Sequence, residues 1–127
     1  MTVQSYKQLV AWQRAMELVV AVYALEFPRH ELYGLTSQIR RSAVSVASNI
    51  AEGQGRYSTN DFLRHLSIAY GSLMELETQL MIARRLDYIS QETETAVLSI
   101  AGETGRLVNG LSKSLRARVL LTNENKI

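Results

Sequence analysis

The side chains of this chain that could do chemistry are few, and their spacing matches no common catalytic pattern. Its two histidines, His30 and His65, each follow a phenylalanine three residues earlier, not the glutamate that di-iron helical bundles place on their inner faces. Asp61 and His65 lie four residues apart, which suits a shared metal ion or a simple surface or capping pair. Ser45 and Ser48 have no histidine nearby in sequence to act as a general base. We therefore predict a protein that is not an enzyme and holds no metal or other cofactor.

The Gly53-Gln54-Gly55-Arg56 segment contains glycines, but its context differs from that of a phosphate-binding loop. It follows a predicted helix instead of a strand, and it lacks the Lys-Ser/Thr pair that grips phosphates in a P-loop. We expect Gly53 and Gly55 to end that helix in the left-handed conformation that glycine adopts readily.

The composition predicts a single domain of residues 1–127. Its length and its hydrophobic content of 46% are enough for one core, and the absence of cysteine excludes disulfides and thiolate metal sites. The chain has no signal-like start and no apolar run near the ~20 residues of a membrane span, so we expect a cytoplasmic protein without a membrane partner. The net charge is +2, and eleven arginines outnumber three lysines, which favours planar contact with carboxylate or phosphate.

The hydrophobic periodicity predicts four helices and no strand, which is an all-α fold. The expected helices span residues 6–26, 32–53, 58–87 and 90–118. Pro28 is expected to end the first helix, because proline cannot donate a backbone hydrogen bond and restricts the residue before it. Ser58 is expected to cap the third helix, with Asp61 three residues later.

The first and third helices carry more apolar surface than one bundle requires. On the first helix, two seams lie about 100° apart around the axis. They are Leu9, Trp12, Met16, Val19 and Tyr23, and Ala11, Ala15, Leu18, Val22 and Leu25. The third helix has a main seam and a second one beside it. The main seam is Phe62, Leu66, Ala69, Leu73, Leu76, Leu80 and Ala83, and the second is Leu63, Tyr70, Met74 and Met81. One seam closes a bundle, so the other requires a deeply sandwiched helix or another subunit. We predict a homo-oligomer in which Trp12 packs in the core or at an interface.

The second helix combines small residues with a polar stripe. At 3.6 residues per turn, the stripe contains Gln38, Arg41, Ser45, Ser48 and Glu52, with Asn49 and Arg56 beside it. Small residues next to such a stripe let a neighbouring backbone come close while polar atoms find partners. We therefore assign Arg41, Asn49 and Glu52 structural or interface roles.

Two charged residues, Arg40 and Glu77, fall inside apolar arcs. A charge that is buried alone costs several kcal/mol, so each is expected to have a partner. We hypothesise that they pair with each other or across a subunit boundary. The alternative is that Arg40 lays its stem along the surface and keeps its guanidinium in water.

Three runs of sequence resemble the four helix bundle proteins of the 23S rRNA-intervening-sequence family. They are Gly34–Arg41, Val44–Gly53 and Ala69–Leu80, and the segments Leu9–Trp12 and Phe27-Pro28 match as well. The resemblance extends over about residues 6–115. It departs from the family pattern at Ala47, where many members carry proline.

The resemblance implies an antiparallel up-down four-helix bundle that assembles as a ring, commonly a homopentamer. It also implies a relation to accessory variability proteins of diversity-generating retroelements, which are similar barrels that bind nucleic acid and a reverse transcriptase. A reverse transcriptase or a ribosomal component is therefore an expected kind of protein partner. The resemblance implies no established activity.

The arginine placement and the resemblance together favour sequence-independent binding of RNA or DNA. The candidate phosphate contacts are Arg56, Arg84, Arg85, Lys113, Arg116 and Arg118. The alternative for the last five is that they complement the dipoles of helix C-termini. Tyr57 either stacks on an exposed base or covers the end of the bundle. The rival function is a scaffold or adaptor ring for another protein, with no nucleic-acid role.

Overall fold

The structure, a computed structural model, describes residues 5–124 and contains four α-helices. These are α1 (Val10–Tyr23), α2 (Leu35–Gln54), α3 (Thr59–Arg85) and α4 (Gln91–Glu124). Short 3-10 turns at Tyr6–Gln8 and Arg29–Glu31 precede α1 and α2, and the described range contains no strand. The predicted all-α fold of four helices is confirmed.

The helices form a bundle in which each packs against its neighbours in sequence. Contacts join α1 to α2, α2 to α3, α3 to α4 and α1 to α4, whereas the described parts of α1 and α3, and of α2 and α4, lie diagonally apart. The connections 55–58 and 86–90 are short, so the helices that they join run antiparallel. The α2–α3 connection, the start of α1 and the end of α4 therefore lie at one pole of this up-down bundle. The α1–α2 and α3–α4 connections lie at the other pole.

The core is built from one apolar seam of each helix. The predicted main seam of α3 is confirmed, since Leu66, Ala69, Leu73, Leu76, Leu80 and Ala83 are fully buried. On α1 the seam of smaller residues faces the core, with Ala15, Leu18 and Val22 fully buried. The other α1 seam remains partly in solvent, because Met16 is 39% exposed and Tyr23 is 48% exposed.

Four predicted helix boundaries differ by three residues or more from those in the structure. α2 begins at Leu35 and not at residue 32, because a 3-10 turn at Arg29–Glu31 and a further turn precede it. α1 begins at Val10 because Ser5 caps a separate 3-10 turn and Leu9 is extended. It ends at Tyr23, well before Pro28, because the chain leaves the helix to bury Leu25 and to set Phe27 edge-on against Tyr88. α4 continues to Glu124 instead of ending at 118, since no glycine or proline interrupts it after Gly110. The predicted cap of α3 is confirmed, because the Ser58 Oγ accepts a hydrogen bond from the Asp61 N–H.

The expected left-handed glycine stop of α2 is wrong, because no described glycine has a positive φ. Gly53 lies inside α2 and is buried where α2 crosses α3. A Cβ at this position would lie 2.7 Å from the Cβ of His65 and 2.9 Å from Cδ1 of Phe62. Glycine is required here by close helix packing and not by backbone conformation.

Hydrogen bonds of Glu31 join the α1–α2 connection to the α3–α4 connection. One carboxylate oxygen accepts from the Tyr88 hydroxyl at 2.7 Å, and the other accepts from the Leu35 N–H at 3.3 Å, which satisfies a free donor at the start of α2. The Tyr88 hydrogen bond is the main reason that the pKa of Glu31 lies below its ordinary value of 4.5. The same hydrogen bond raises the pKa of Tyr88 above 10.0.

Tyr88→Phe is expected to lower the melting temperature most at neutral pH and least in acid. The lowered pKa of Glu31 means that its contribution is present above about pH 4.5 and is lost as the pH falls through the folded-state pKa. The raised pKa of Tyr88 means that its contribution is lost only as the pH rises above about 10. Melting curves across this pH range would check the prediction, with Tyr33→Phe as the exposed control. A deficit that stays constant from neutral pH into acid would contradict it.

Candidate nucleic-acid interface

The six predicted phosphate contacts do not form one surface. Arg84 and Arg85 occupy the last turn of α3, beside the α3–α4 connection. Arg56 lies in the α2–α3 connection at the opposite pole, where the later turns of α4 bring Lys113, Arg116 and Arg118. Because α3 has 27 residues, it separates the two groups by about 40 Å. We call the pole that contains Arg56 and Arg118 the basic pole.

The basic pole contains a surface pocket of about 560 Å³. It is lined by Leu9 just before α1, by the α2–α3 connection with the turns beside it, and by the later turns of α4, and its lining includes Arg56, Tyr57 and Arg118. A second pocket of about 310 Å³ adjoins it and shares Ser58, Thr59 and Arg118. None of the described residues that line these two pockets carries a carboxylate, so the charged groups of both pockets are cations.

The two poles differ in their balance of charged residues. Six cations of residues 5–124 lie at the basic pole against three carboxylates. The cations are Lys7, Arg56, Arg64, Lys113, Arg116 and Arg118, and the carboxylates are Glu52, Asp61 and Glu124. The opposite pole has three cations against five carboxylates. These are Arg29, Arg84 and Arg85, and Glu26, Glu31, Asp87, Glu92 and Glu94. Residues 5–124 therefore have an excess of three positive charges at one pole and of two negative charges at the other.

The alternative explanation by helix dipoles fits one group of cations and not the other. Arg84 and Arg85 do lie in the last turn of α3, and Arg84 also pairs with Asp87 at 3.4 Å. In contrast, α4 continues beyond Arg118, and its described last turn contains no basic residue. The exposed Lys113, Arg116 and Arg118 thus have no explanation as helix-end cations.

Arg56 and Glu52 form an ion pair along the last turn of α2. The guanidinium Nη2 lies 2.8 Å from the carboxylate Oε1, and both side chains are about half exposed. Such an exposed pair contributes about 0.3–0.5 kcal/mol of stability. It orients Arg56 at the rim of the pocket and leaves its other N–H donors available.

One of the two expectations for Tyr57, that its ring covers the end of the bundle, is wrong. Its side chain is as exposed as in an extended peptide, at 109% of the reference area. Within residues 5–124 it makes no hydrogen bond and no aromatic contact. The aromatic ring stands in solvent beside Arg56 and the pocket.

A partly buried polar network joins α2 to α3 and includes Ser72, a residue that the sequence pattern did not single out. The Ser45 and Ser72 hydroxyls lie 2.8 Å apart, and Asn49 donates from Nδ2 to the Ser45 carbonyl and hydroxyl. The Asn49 Oδ1 lies 3.0 Å from Nδ1 of His65, which is 4% exposed. Because this amide oxygen can only accept, the hydrogen of His65 resides on Nδ1.

This network holds helices together and does not resemble a nucleophilic site. The His65 ring bonds to Asn49 and not to either serine hydroxyl. Asp61 is exposed whereas His65 is buried, and no group of three or more candidate metal ligands occurs among the described residues. The location of His65 beside the buried Leu66 seam was the signal that could have predicted its burial.

The predicted pairing of Arg40 with Glu77 does not occur within the described chain. The Arg40 guanidinium carbon instead lies 4.7 Å from the centre of the Tyr23 ring, a cation–π contact between α2 and α1. No ion pair of the described residues includes Glu77 or Arg41. Trp12 is partly buried and packs edge-on against Tyr6 at 5.2 Å.

The fold and this site define an all-α four-helix bundle with one cationic pole. The chain belongs to the 23S rRNA-intervening sequence protein family, whose sequence model matches residues 7–110. The chain is also similar to a protein of unknown function from the S23 ribosomal protein family of Bacteroides thetaiotaomicron. The two structures superpose with a TM-score of 0.74 and 26% identity, covering 82% of this chain and 96% of that one. No curated protein matches this chain. None of the described helices is long and apolar enough to cross a membrane.

Proposed function

We propose that this protein is a non-enzymatic nucleic-acid-binding protein whose basic pole contacts the phosphate backbone. The observation that carries the proposal is the excess of three positive charges at this pole, around pockets without a carboxylate among their described lining residues. Family membership supports it, because the family is named for an intervening sequence of ribosomal RNA. Arg84 and Arg85 are excluded from the proposed interface, since they lie at the opposite, acidic pole.

The binding is expected to depend on charge and not on base sequence. Guanidinium and ammonium groups release counterions when they contact phosphates, so affinity falls as salt rises. The cations are spread over the α2–α3 connection and α4, and base edges are read by side chains that enter a groove in a fixed pattern. Cations distributed over two separate elements suit contact with phosphates more than the reading of base edges.

Self-association would multiply this charge. The exposed apolar residues of α1 and α3 point away from each other, because these two helices are diagonal in the bundle. Two different patches on opposite sides favour head-to-tail contact, which forms a ring when the rotation between successive copies closes. We propose such a homo-oligomer, with a pentamer as the expected size, and with net charge near +10 for five copies of a +2 chain.

A protein scaffold remains the second candidate function, because one groove suits a protein partner better than phosphate. The groove has a volume of about 650 Å³ and lies along α1 and α2. Tyr23, Leu32 and Val44 supply its apolar surface, and all three are at least 40% exposed. A reverse transcriptase or a ribosomal component is the proposed kind of partner.

Removing three cations from the basic pole is expected to weaken nucleic-acid binding by at least about tenfold at about 50 mM salt. The variant is Lys113→Gln, Arg116→Gln and Arg118→Gln. The slope of log affinity against log salt should also fall by about 2 to 3, which corresponds to three lost phosphate contacts. Titration of labelled RNA and DNA by fluorescence anisotropy at several salt concentrations measures both quantities.

The matched control removes three cations from the acidic pole, by Arg29→Gln, Arg84→Gln and Arg85→Gln. Both triple variants change the formal net charge from +2 to −1, so only the location of the charges differs. An equal loss in the two variants would refute the basic pole as the interface. If the wild type binds neither RNA nor DNA at low salt, the scaffold function replaces the proposal.

A further inference from the structure

We infer that the basic pole, if it binds nucleic acid as proposed, is a site for single strands. In this inference the Tyr57 ring stacks on an unpaired base, while Arg56 and Arg118 hold the adjoining phosphate in the pocket beside it. The ligand class is single-stranded RNA or DNA. The inference depends on the nucleic-acid function proposed above and adds the strand form and the residue that selects it.

Tyr57 is unusually exposed for an aromatic residue. A fully exposed aromatic ring leaves a large apolar area in water, which folding normally avoids. Of the described residues, Tyr33 is the other tyrosine with comparable exposure, at 94%, and it lies at the acidic pole. Tyr33 also borders a groove with Arg40 and Arg41, but the Arg40 guanidinium there contacts the Tyr23 ring, whereas Tyr57 lies at the pole with the excess of cations, beside Arg56 and Arg118.

The backbone on both sides of Tyr57 is held in place by hydrogen bonds. Before it, the Gly55 N–H bonds to the Ala51 carbonyl at 3.2 Å and the Arg56 N–H bonds to the Gly53 carbonyl at 3.1 Å. After it, the Ser58 hydroxyl caps α3. Because the backbone is already ordered, stacking on this ring requires the ordering of one side chain and not of a loop, which lowers the entropic cost of binding.

The pocket that Tyr57 borders is lined by groups that can donate hydrogen bonds to phosphate. Arg56 and Arg118 supply guanidinium groups, and Ser58, Thr59 and Ser114 supply hydroxyl groups. A volume of about 560 Å³ lies within the range of about 300–1,000 Å³ typical of ligand pockets. Guanidinium and hydroxyl groups are the donors that phosphate oxygens accept.

These features favour a single strand over a duplex. Bases of a duplex stack on one another, so their faces are covered except at the ends, whereas an unpaired base offers its face to an aromatic side chain. Stacking does not depend on base identity, which agrees with binding that lacks sequence preference. A cationic pocket by itself would bind both forms.

The test compares Tyr57→Ala with Tyr57→Phe and with Tyr33→Ala, the equally exposed control at the other pole. The probes are a labelled single-stranded RNA, a single-stranded DNA of the same sequence, and the corresponding duplexes. Tyr57→Ala is expected to weaken single-strand binding by about fivefold or more and duplex binding by less than about twofold. Tyr57→Phe keeps the ring and is expected to bind as the wild type does, as is Tyr33→Ala.

Failure of the inference is distinguishable from failure of the proposed function. If Tyr57→Ala leaves single-strand affinity unchanged, or lowers single-strand and duplex affinity equally, the inference is wrong while the nucleic-acid function stands. An equal effect of Tyr33→Ala would also overturn it. If the wild type binds no probe, both fall together. Circular dichroism of each variant excludes unfolding as the cause, since Tyr57 supports no contact within the described fold.

Discussion

Two patch variants are each expected to be monomeric alone and to form dimers when mixed. The first variant carries Met16→Lys and Val20→Lys on α1, where these side chains are 39% and 67% exposed. The second carries Met74→Lys and Met81→Lys on α3, where they are 36% and 46% exposed. Each variant retains one intact patch. In a mixture, the intact patch of one variant can bind the intact patch of the other, and no patch is then left to add a third copy.

The expected result depends on contact between different patches. A ring needs each copy to present one patch to the copy before it and another patch to the copy after it. α1 and α3 meet this requirement because they are diagonal in the bundle. The charges of the two sides also match, since Arg40 lies over Tyr23 beside the α1 patch and Glu77 lies between Met74 and Met81 in sequence. Neither charge has an ionic partner within the described chain, and contact between copies would bring them together.

Light scattering coupled to size-exclusion chromatography measures the masses of the wild type, the variants and the mixture. The control adds the same two charges to the polar surface of α4, by Thr95→Lys and Ser99→Lys, and is expected to keep the wild-type mass. A wild type that is monomeric at micromolar concentration would refute self-association. A variant that dimerises alone would instead indicate contact between like patches.

Gly53→Ala is expected to lower the free energy of unfolding by about 2 kcal/mol. The added Cβ would lie 2.7 Å from the His65 Cβ, so α2 and α3 must move apart at their crossing. Such overpacking costs about 3 kcal/mol, the upper part of its usual range, and the better helix propensity of alanine offsets about 1 kcal/mol. Chemical denaturation measures the difference.

Gly110→Ala is the matched control, because a Cβ at this position would meet nothing within 4 Å. Only the helix propensity changes there, so the free energy of unfolding is expected to rise by about 1 kcal/mol. The two substitutions are chemically identical and both lie inside helices, yet the changes that they cause in the free energy of unfolding are expected to have opposite signs. If both stabilise the protein, the close approach at Gly53 is not a constraint on the fold.

Several features of the fold could be predicted because they depend on neighbours in sequence. The Ser58 cap requires only a hydroxyl three residues before an N–H that needs an acceptor, and it is present. The buried seam of α3 follows from apolar residues at a helical period. The start of α1 could not be predicted in this way, because the 3-10 turn and the extended Leu9 depend on how the chain packs onto the bundle.

The candidate site was predicted in part. Arg56, Lys113, Arg116 and Arg118 were named from the sequence and lie at one pole. Arg84 and Arg85 were grouped with them because sequence spacing does not show which helix ends meet. The free ring of Tyr57 was one of two expectations, and only the packing of the bundle end decides between a covering and an exposed tyrosine.

The sequence by itself determined four helices, their buried faces and the arginine-rich surface, because periodicity and charge are properties of residues close together in the chain. Only the tertiary structure decided which cations share a pole, that α4 continues past them, and that Gly53 is needed for a helix crossing. The physical reason is that these depend on distances between residues far apart in sequence. Such distances are set when antiparallel helices bury their seams against one another.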